Sequence, residues 1–194
     1  MGIRGNGKSF LAKALINLLI PPKLFIIDPL DEYRDYARFT CYDAGQCAEA
    51  FLSDSFPLRL ASASPIDMSL AFELVREIND LFVVVDESDF FLDNQHNPPA
   101  FSWSVRYGRH FGQGGILIAR RPSNLPREFT AQSVLFFQVC IEPNDLKYIR
   151  ERVGSVPERL PAFNWYCSDL DGKIIIVSDS WILERQKGFK QCQP

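Results

Sequence analysis

Helical and extended hydrophobic patterns alternate along this chain. Residues 10–19 are apolar and rich in helix formers, broken by Lys13 and Asn17 and stopped by Pro21-Pro22. They predict a helix that ends at the prolines. Residues 24–28 (LFIID) predict a short buried strand closed by Asp28-Pro29. Residues 31–38 predict a short helix, 39–42 a brief strand, 46–53 a helix and 58–61 a strand. Ser64-Pro65-Ile66-Asp67 is a helix start, with a side chain able to cap and proline in the first turn, and Leu70, Leu74 and Ile78 follow on one face. The five apolar residues 81–85 predict a strand buried on both faces. Residues 100–111 read as helix, 115–119 and 134–140 as buried strands, and 144–153 as a helix begun by Asn144 or Asp145. Residues 165–170 and 173–178 flank Asp171-Gly172, a hairpin signal. The polar stretch after Trp181 is expected to be an arm or a frayed terminus. The alternation argues for an α/β fold: a mostly parallel sheet flanked by helices, with a C-terminal β-hairpin. One domain over residues 1–180 and a tail over 181–194 are expected, without internal repeats.

The chemistry begins at the first residues. Gly2-Ile3-Arg4-Gly5-Asn6-Gly7-Lys8-Ser9 fits the phosphate-binding pattern G-x-x-x-x-G-K-[ST] at every fixed position. Glycines let successive backbone N–H groups turn inward around phosphate oxygens, where a Cβ would clash. Lys8 supplies positive charge to the β- and γ-phosphates, and Ser9 offers a hydroxyl ligand to Mg²⁺. The helix opened by Phe10 gives the loop an N-terminus that favours anions. The rival reading, a chance match in a glycine-containing turn, must meet four fixed positions and the helix behind them. A buried strand ordinarily precedes such a loop, whereas only Met1 stands before it here. The start is misplaced, the chain is shortened, or another segment fills the slot. No signal peptide is expected, because the chain opens on the loop itself.

The strand over residues 81–85 runs into Asp86-Glu87. Ligands of α/β folds bind at the carboxyl ends of strands, so both acids are expected at the phosphate site. Asp86 is placed to hold Mg²⁺ through water, and Glu87 to polarise a water for attack on the γ-phosphorus. Asp28 closes another strand, and a turn-capping carboxylate explains it as well as a site role does. Ser88 and Asp89 either orient Glu87 or cap a helix. Arg106 and Arg109 share a helix face, and Arg120-Arg121 end the strand over 115–119. For each arginine alone a solvated face or salt bridge is the better reading. For the four together, at least one acting on phosphate, within the subunit or from a neighbour, is expected.

Composition narrows this further. At 194 residues the chain can bury roughly 70% of its unfolded surface, enough for one domain without staples. No run is apolar enough to span a membrane. Five cysteines without a C-x-x-C pair, and only His96 and His110, argue against a zinc site and for reduced thiols that fill the core of a cytosolic protein. The net charge is −3, but residues 106–128 carry +4, leaving −7 for the rest. A single basic segment thus sits on an acidic chain.

These residues, in this order, resemble the HerA/FtsK superfamily of ATPases. Within it they resemble the small genome-packaging ATPases of tailless, membrane-containing double-stranded DNA viruses. The matching segments are GIRGNGKSFLAKAL, the strand with DPLDEY, FVVVDES, RYGRHFGQGG and ILIARRPSNLP. The resemblance implies an additional-strand P-loop NTPase fold and ATP hydrolysis with Mg²⁺. Many relatives carry Gln where Arg120 stands, as a sensor of the γ-phosphate. It also implies a ring, expected to be a hexamer, with nucleotide between subunits and an arginine of one subunit, Arg109 and Arg120 being the candidates, completing the next subunit's site. Double-stranded DNA would pass through the pore, held by its phosphates without base readout. A capsid or portal-vertex protein is the further partner implied, in the host cytoplasm or on the virion. A conjugation, secretion or phage-assembly motor, or a nucleotide-binding module without turnover, remain the alternatives.

Overall fold

The computed structural model describes residues 7–93, 97–138, 142–154, 158, 160–169 and 173–184. The chain forms two compact units, residues 21–118 and residues 1–20 with 119–194.

The unit of residues 21–118 is built on five parallel strands in the order β2-β3-β1-β4-β5. These are β1 (Lys23–Ile27), β2 (Phe39–Cys41), β3 (Leu58–Leu60), β4 (Leu81–Val85) and β5 (Gly114–Leu117). β1 and β4 pair over their whole length, from Lys23 opposite Leu81 to Ile27 opposite Val85. Their near-continuous apolar sequences suit this position, because a central parallel strand is covered on both faces. Three helices accompany the sheet: α2 (Ala44–Leu52), α3 (Pro65–Arg76) and α4 (Pro99–Tyr107). α3 starts as its sequence predicts, with the Ser64 hydroxyl accepting from the Asp67 N–H and Pro65 in the first turn. Its buried stripe is Met68, Ala71, Phe72 and Val75, while Leu70 is exposed. The predicted Leu70-Leu74-Ile78 face is thus rotated away from the core. Phe72 decides the rotation by packing edge-on against Phe101 of α4 at 5.1 Å. The predicted helix over 31–38 shrinks to one 3₁₀ turn, Arg34–Tyr36. The predicted helix over 100–111 ends at Tyr107 and tightens to 3₁₀ over Gly108–Phe111.

The other unit packs α1 (Lys8–Leu19) on a second sheet of three strands, in the order β6-β7-β8. These are β6 (Leu135–Phe137), β7 (Asn164–Ser168) and β8 (Ile174–Ser178). Leu11 and Ala14 of α1 join Trp165, Val177 and Ile182 in one buried cluster. Ile182 therefore extends the core into the polar stretch after Trp181. β7 and β8 pair antiparallel, as the hairpin signal predicts, while Asp171-Gly172 lies outside the described residues. The strand expected within 134–140 corrects the parallel reading, because β6 pairs antiparallel with β7. A single apolar run carries no mark of strand direction, so the sequence left this undetermined. Two further helices complete the unit: α5 (Arg127–Thr130) and α6 (Pro143–Val153). α6 begins at Pro143 rather than at Asn144 or Asp145. The buried Asp145 carboxylate instead accepts from the Ser123 N–H at 3.0 Å and from Arg121 at 3.3 Å.

Candidate functional site

Gly7 is the residue from which α1 springs. Its φ of 85° is left-handed, and no side chain caps the helix there. A Cβ at this position would come within 2.6 Å of the Phe163 ring and 3.1 Å of Trp165. Lys8 and Ser9 are the first two helical residues, and the first turn holds no acidic side chain. A helix N-terminus without acids or a side-chain cap keeps its N–H groups and positive dipole end for an anion. Phe10 turns its ring onto Phe163, edge-on at 5.8 Å, so only its backbone is disposed towards a ligand. Gly2, Ile3, Arg4, Gly5 and Asn6 lie outside the described residues.

Asp86 and Glu87 follow the carboxyl end of β4. The Asp86 N–H donates to Ile27 O of β1, and the Asp86 carboxylate accepts from the Glu87 N–H, both at 2.9 Å. Glu87 has a left-handed backbone, φ 46°. Such a conformation is costly for a residue with a side chain and concentrates at functional sites. Burial pushes the Asp86 carboxyl up to about 7. Its hydrogen bond from Glu87 opposes the rise, and the charges of Glu32, Glu87 and Asp28 add to it. An acidic pocket of this kind is relieved by a cation. Among the described residues no cluster of three ligating side chains is present. Ser88 is engaged with the neighbouring strand segment. Its N–H and hydroxyl both donate to Ile118 O, at 2.7 and 2.9 Å, binding the end of β4 to the segment after β5.

Asp28 takes the turn-capping role. Its carboxylate accepts from the N–H groups of Glu32 and Tyr33, both at 2.9 Å, and pairs with buried Arg59 at 2.9 Å. Arg59 also reaches Asp31. This ion cluster escaped the sequence reading, although a charged residue between two leucines in a three-residue strand was the available signal.

The arginines divide. Arg121 pairs with Asp145 and, at 3.7 Å, with Glu142, which is the salt-bridge reading. Arg120 is exposed and follows the end of β5 by three residues. Arg106 and Arg109 lie at the other edge of the sheet. They precede β5, whose first residue, Gly114, stands opposite Phe82 near the start of β4. The backbone bond from Asp80 N–H to Phe111 O, 2.9 Å, holds the 3₁₀ turn at that amino edge. Asp86 and Glu87 occupy the opposite edge, roughly 13 Å away along a strand of this length.

No family model matches the chain. The DNA double-strand break repair helicase HerA of Saccharolobus solfataricus is 31% identical in an alignment of 102 residues that covers 50% of this chain. They are only 20% of HerA, so the chain spans about a fifth of that relative's length. The genome-packaging NTPase B204 of Sulfolobus turreted icosahedral virus 2, solved with ATP-gammaS, has the same fold with a TM-score of 0.73 and 19% identity. The alignment covers 90% of this chain and 93% of B204. The DNA-packaging ATPase B204 of Sulfolobus Turreted Icosahedral Virus aligns over the same shares with a TM-score of 0.69 and 20% identity. The fold is that of a P-loop NTPase. The resemblance carried by the motifs recurs in both the sequence and the structure comparison.

Proposed function

We propose that this protein is an ATP-hydrolysing motor that moves double-stranded DNA, packaging a viral genome into its capsid. The observation that carries the reading is the shared fold with B204 over nine-tenths of the chain. The reading assigns the nucleotide chemistry to residues at the ends of elements. Lys8 and Ser9 open α1 and receive the phosphates of ATP, the loop from Gly2 to Gly7 supplying backbone N–H groups. Asp86 and Ser9 are oxygen donors of the kind Mg²⁺ takes, and the bound ion would screen the phosphate charge. Glu87, one residue beyond, accepts a proton from the attacking water. Arg120 follows the carboxyl end of β5 as a sensor of the γ-phosphate. Arg109, at the amino edge, serves the site of a neighbouring copy in a ring, a hexamer in this reading.

DNA is held through its phosphates, so binding weakens as salt rises. A capsid or portal-vertex protein receives the motor, in the host cytoplasm or on the virion. Among the described residues no helix is long and apolar enough to cross a membrane.

The test is ATP turnover by the assembled protein with and without linear double-stranded DNA. DNA is expected to raise turnover, and Lys8→Ala and Glu87→Gln each to lower it about 100-fold or more. Turnover indifferent to DNA in a well-formed ring removes translocation from the proposal. Nucleotide binding without multiple turnovers removes the motor altogether.

A further inference from the structure

We propose that Phe163 carries the nucleobase of the bound nucleotide on its ring, by stacking and without reading which base it is. This rests on the reading that the phosphates sit at the N-terminus of α1. Phe163 immediately precedes β7 and belongs to the same compact unit as α1. Its backbone is left-handed, φ 61°. For a bulky side chain that conformation is a rare outlier, and it persists only where the surroundings fix it. Here the Asp179 N–H donates to Phe163 O at 3.1 Å, and the Asn164 N–H donates to Pro161 O at 3.3 Å. The turn sets the ring against the start of α1. Its Cδ1 and Cε1 stand 2.6 and 2.8 Å from the point where a Cβ on Gly7 would be. Phe10 meets the ring edge-on at 5.8 Å, and the wholly buried Trp165 reaches the same point beside Gly7 at 3.1 Å. Held on these sides, Phe163 still keeps 39% of its surface exposed.

A strained turn that holds a large apolar ring half in water is costly to the fold and useful to a ligand with an apolar plane. A nucleotide is such a ligand. Its phosphates meet the first turn of α1, and one ribose separates them from the base. Phe163 touches Gly7, where that turn begins, and Phe10, which lies within it. An aromatic ring therefore stands at the border of the phosphate site, pinned in position by Phe10 and Gly7. Every base has a π-face, so a phenyl ring holds adenine and guanine alike. Its side chain has no hydrogen-bonding group with which to tell them apart. Phe163 is thus a positioning residue: it fixes the base end of the nucleotide while the helix start fixes the phosphate end.

The test is calorimetric binding of ADP, GDP and inorganic pyrophosphate, each with Mg²⁺, to the full chain and to its Phe163→Leu and Phe163→Tyr variants. Leucine keeps apolar packing on Gly7 but has no π-face, and tyrosine keeps the ring. Phe163→Leu is expected to weaken ADP and GDP about 10-fold each and to leave pyrophosphate unchanged. Phe163→Tyr is expected to bind all three as the wild type does. ADP bound by Phe163→Leu as tightly as by the wild type overturns the proposal. So does an equal weakening of pyrophosphate, which would make Phe163 a prop of the helix start alone. Should Phe163→Leu not fold, the wild type decides: ADP is expected to bind about 10-fold tighter than ribose 5-diphosphate, the same ligand without its base, and equal affinities overturn the proposal. A wild type that binds none of these ligands overturns the nucleotide reading and this proposal with it, whereas failure in the Phe163 variants alone leaves that reading standing.

Discussion

At the residue scale, Asp86 is where function and stability conflict. Its pKa rises from 3.8 to about 7, mainly through burial. The folded protein therefore keeps a proton there that the unfolded chain releases above pH 4. Stability falls as pH climbs from about 4 to about 7 and is flat beyond, by at most about 4 kcal/mol. Asp86→Asn retains an acceptor for the Glu87 N–H without the charge. It is expected to raise stability at pH 8 by about 1–3 kcal/mol and to change little at pH 4, measured by urea unfolding at the two pH values. Gly7 is the second decisive residue. Gly7→Ala meets Phe163 and Trp165 and forces a left-handed alanine. A loss of about 1–3 kcal/mol in thermal or urea unfolding is expected before any effect on nucleotide is counted. The motif spacing makes both residues legible in sequence. The direction of the Asp86 shift was not, because it is set by how deeply the folded chain buries the carboxyl, an effect to which the charges of Glu32, Glu87 and Asp28 add.

At the scale of elements, the sheet of residues 21–118 is tied across its carboxyl edge by a buried ion pair. Arg59 of β3 pairs with Asp28 after β1, both side chains being almost wholly buried. Removing one partner leaves an uncompensated buried charge. Arg59→Met is expected to cost about 3–5 kcal/mol, and the double change Arg59→Met with Asp28→Asn clearly less than the sum of the singles. A double-mutant cycle by urea unfolding reads this directly. The strands themselves were legible because their periods are local. β1, β4 and β5 stand within about two residues of their predicted ends. α3 shows the limit of such reading: its start was plain from Ser64-Pro65, but its inward face was set by Phe101, a residue of another helix.

At the scale of the whole molecule, the placement of Arg109 shapes the proposed assembly. The 3₁₀ turn that bears it also bears Phe111, and Trp103 of α4 gathers Tyr107 and Phe111 at 5.9 and 5.2 Å. Tyr107 and Phe111 are exposed, and no carboxylate occurs between Asp93 and Glu128. Aromatic rings with arginines and few acids are the composition of an interface centre. If Arg109 serves a neighbour, Arg109→Ala and Glu87→Gln are each inactive alone but complement when mixed. About a quarter of wild-type turnover is expected where copies exchange at random around a ring. Mixed samples no more active than either parent would assign Arg109 to its own subunit or to no catalytic role.

The sequence by itself determined the α/β order of elements, the G-x-x-x-x-G-K-S pattern running into α1, the acids after β4 and the hairpin near the end. These are written in local spacing: periods of two and of 3.6 residues, turn chemistry and a fixed motif. Only the tertiary structure decided that β6 joins an antiparallel sheet, that Arg121 is bound to Asp145, and that Arg109 lies across the sheet from Glu87. The physical reason is the same for each. Strand partners, opposite sheet edges and buried pairs arise when segments distant in the chain pack together, and no short-range pattern encodes which segments meet.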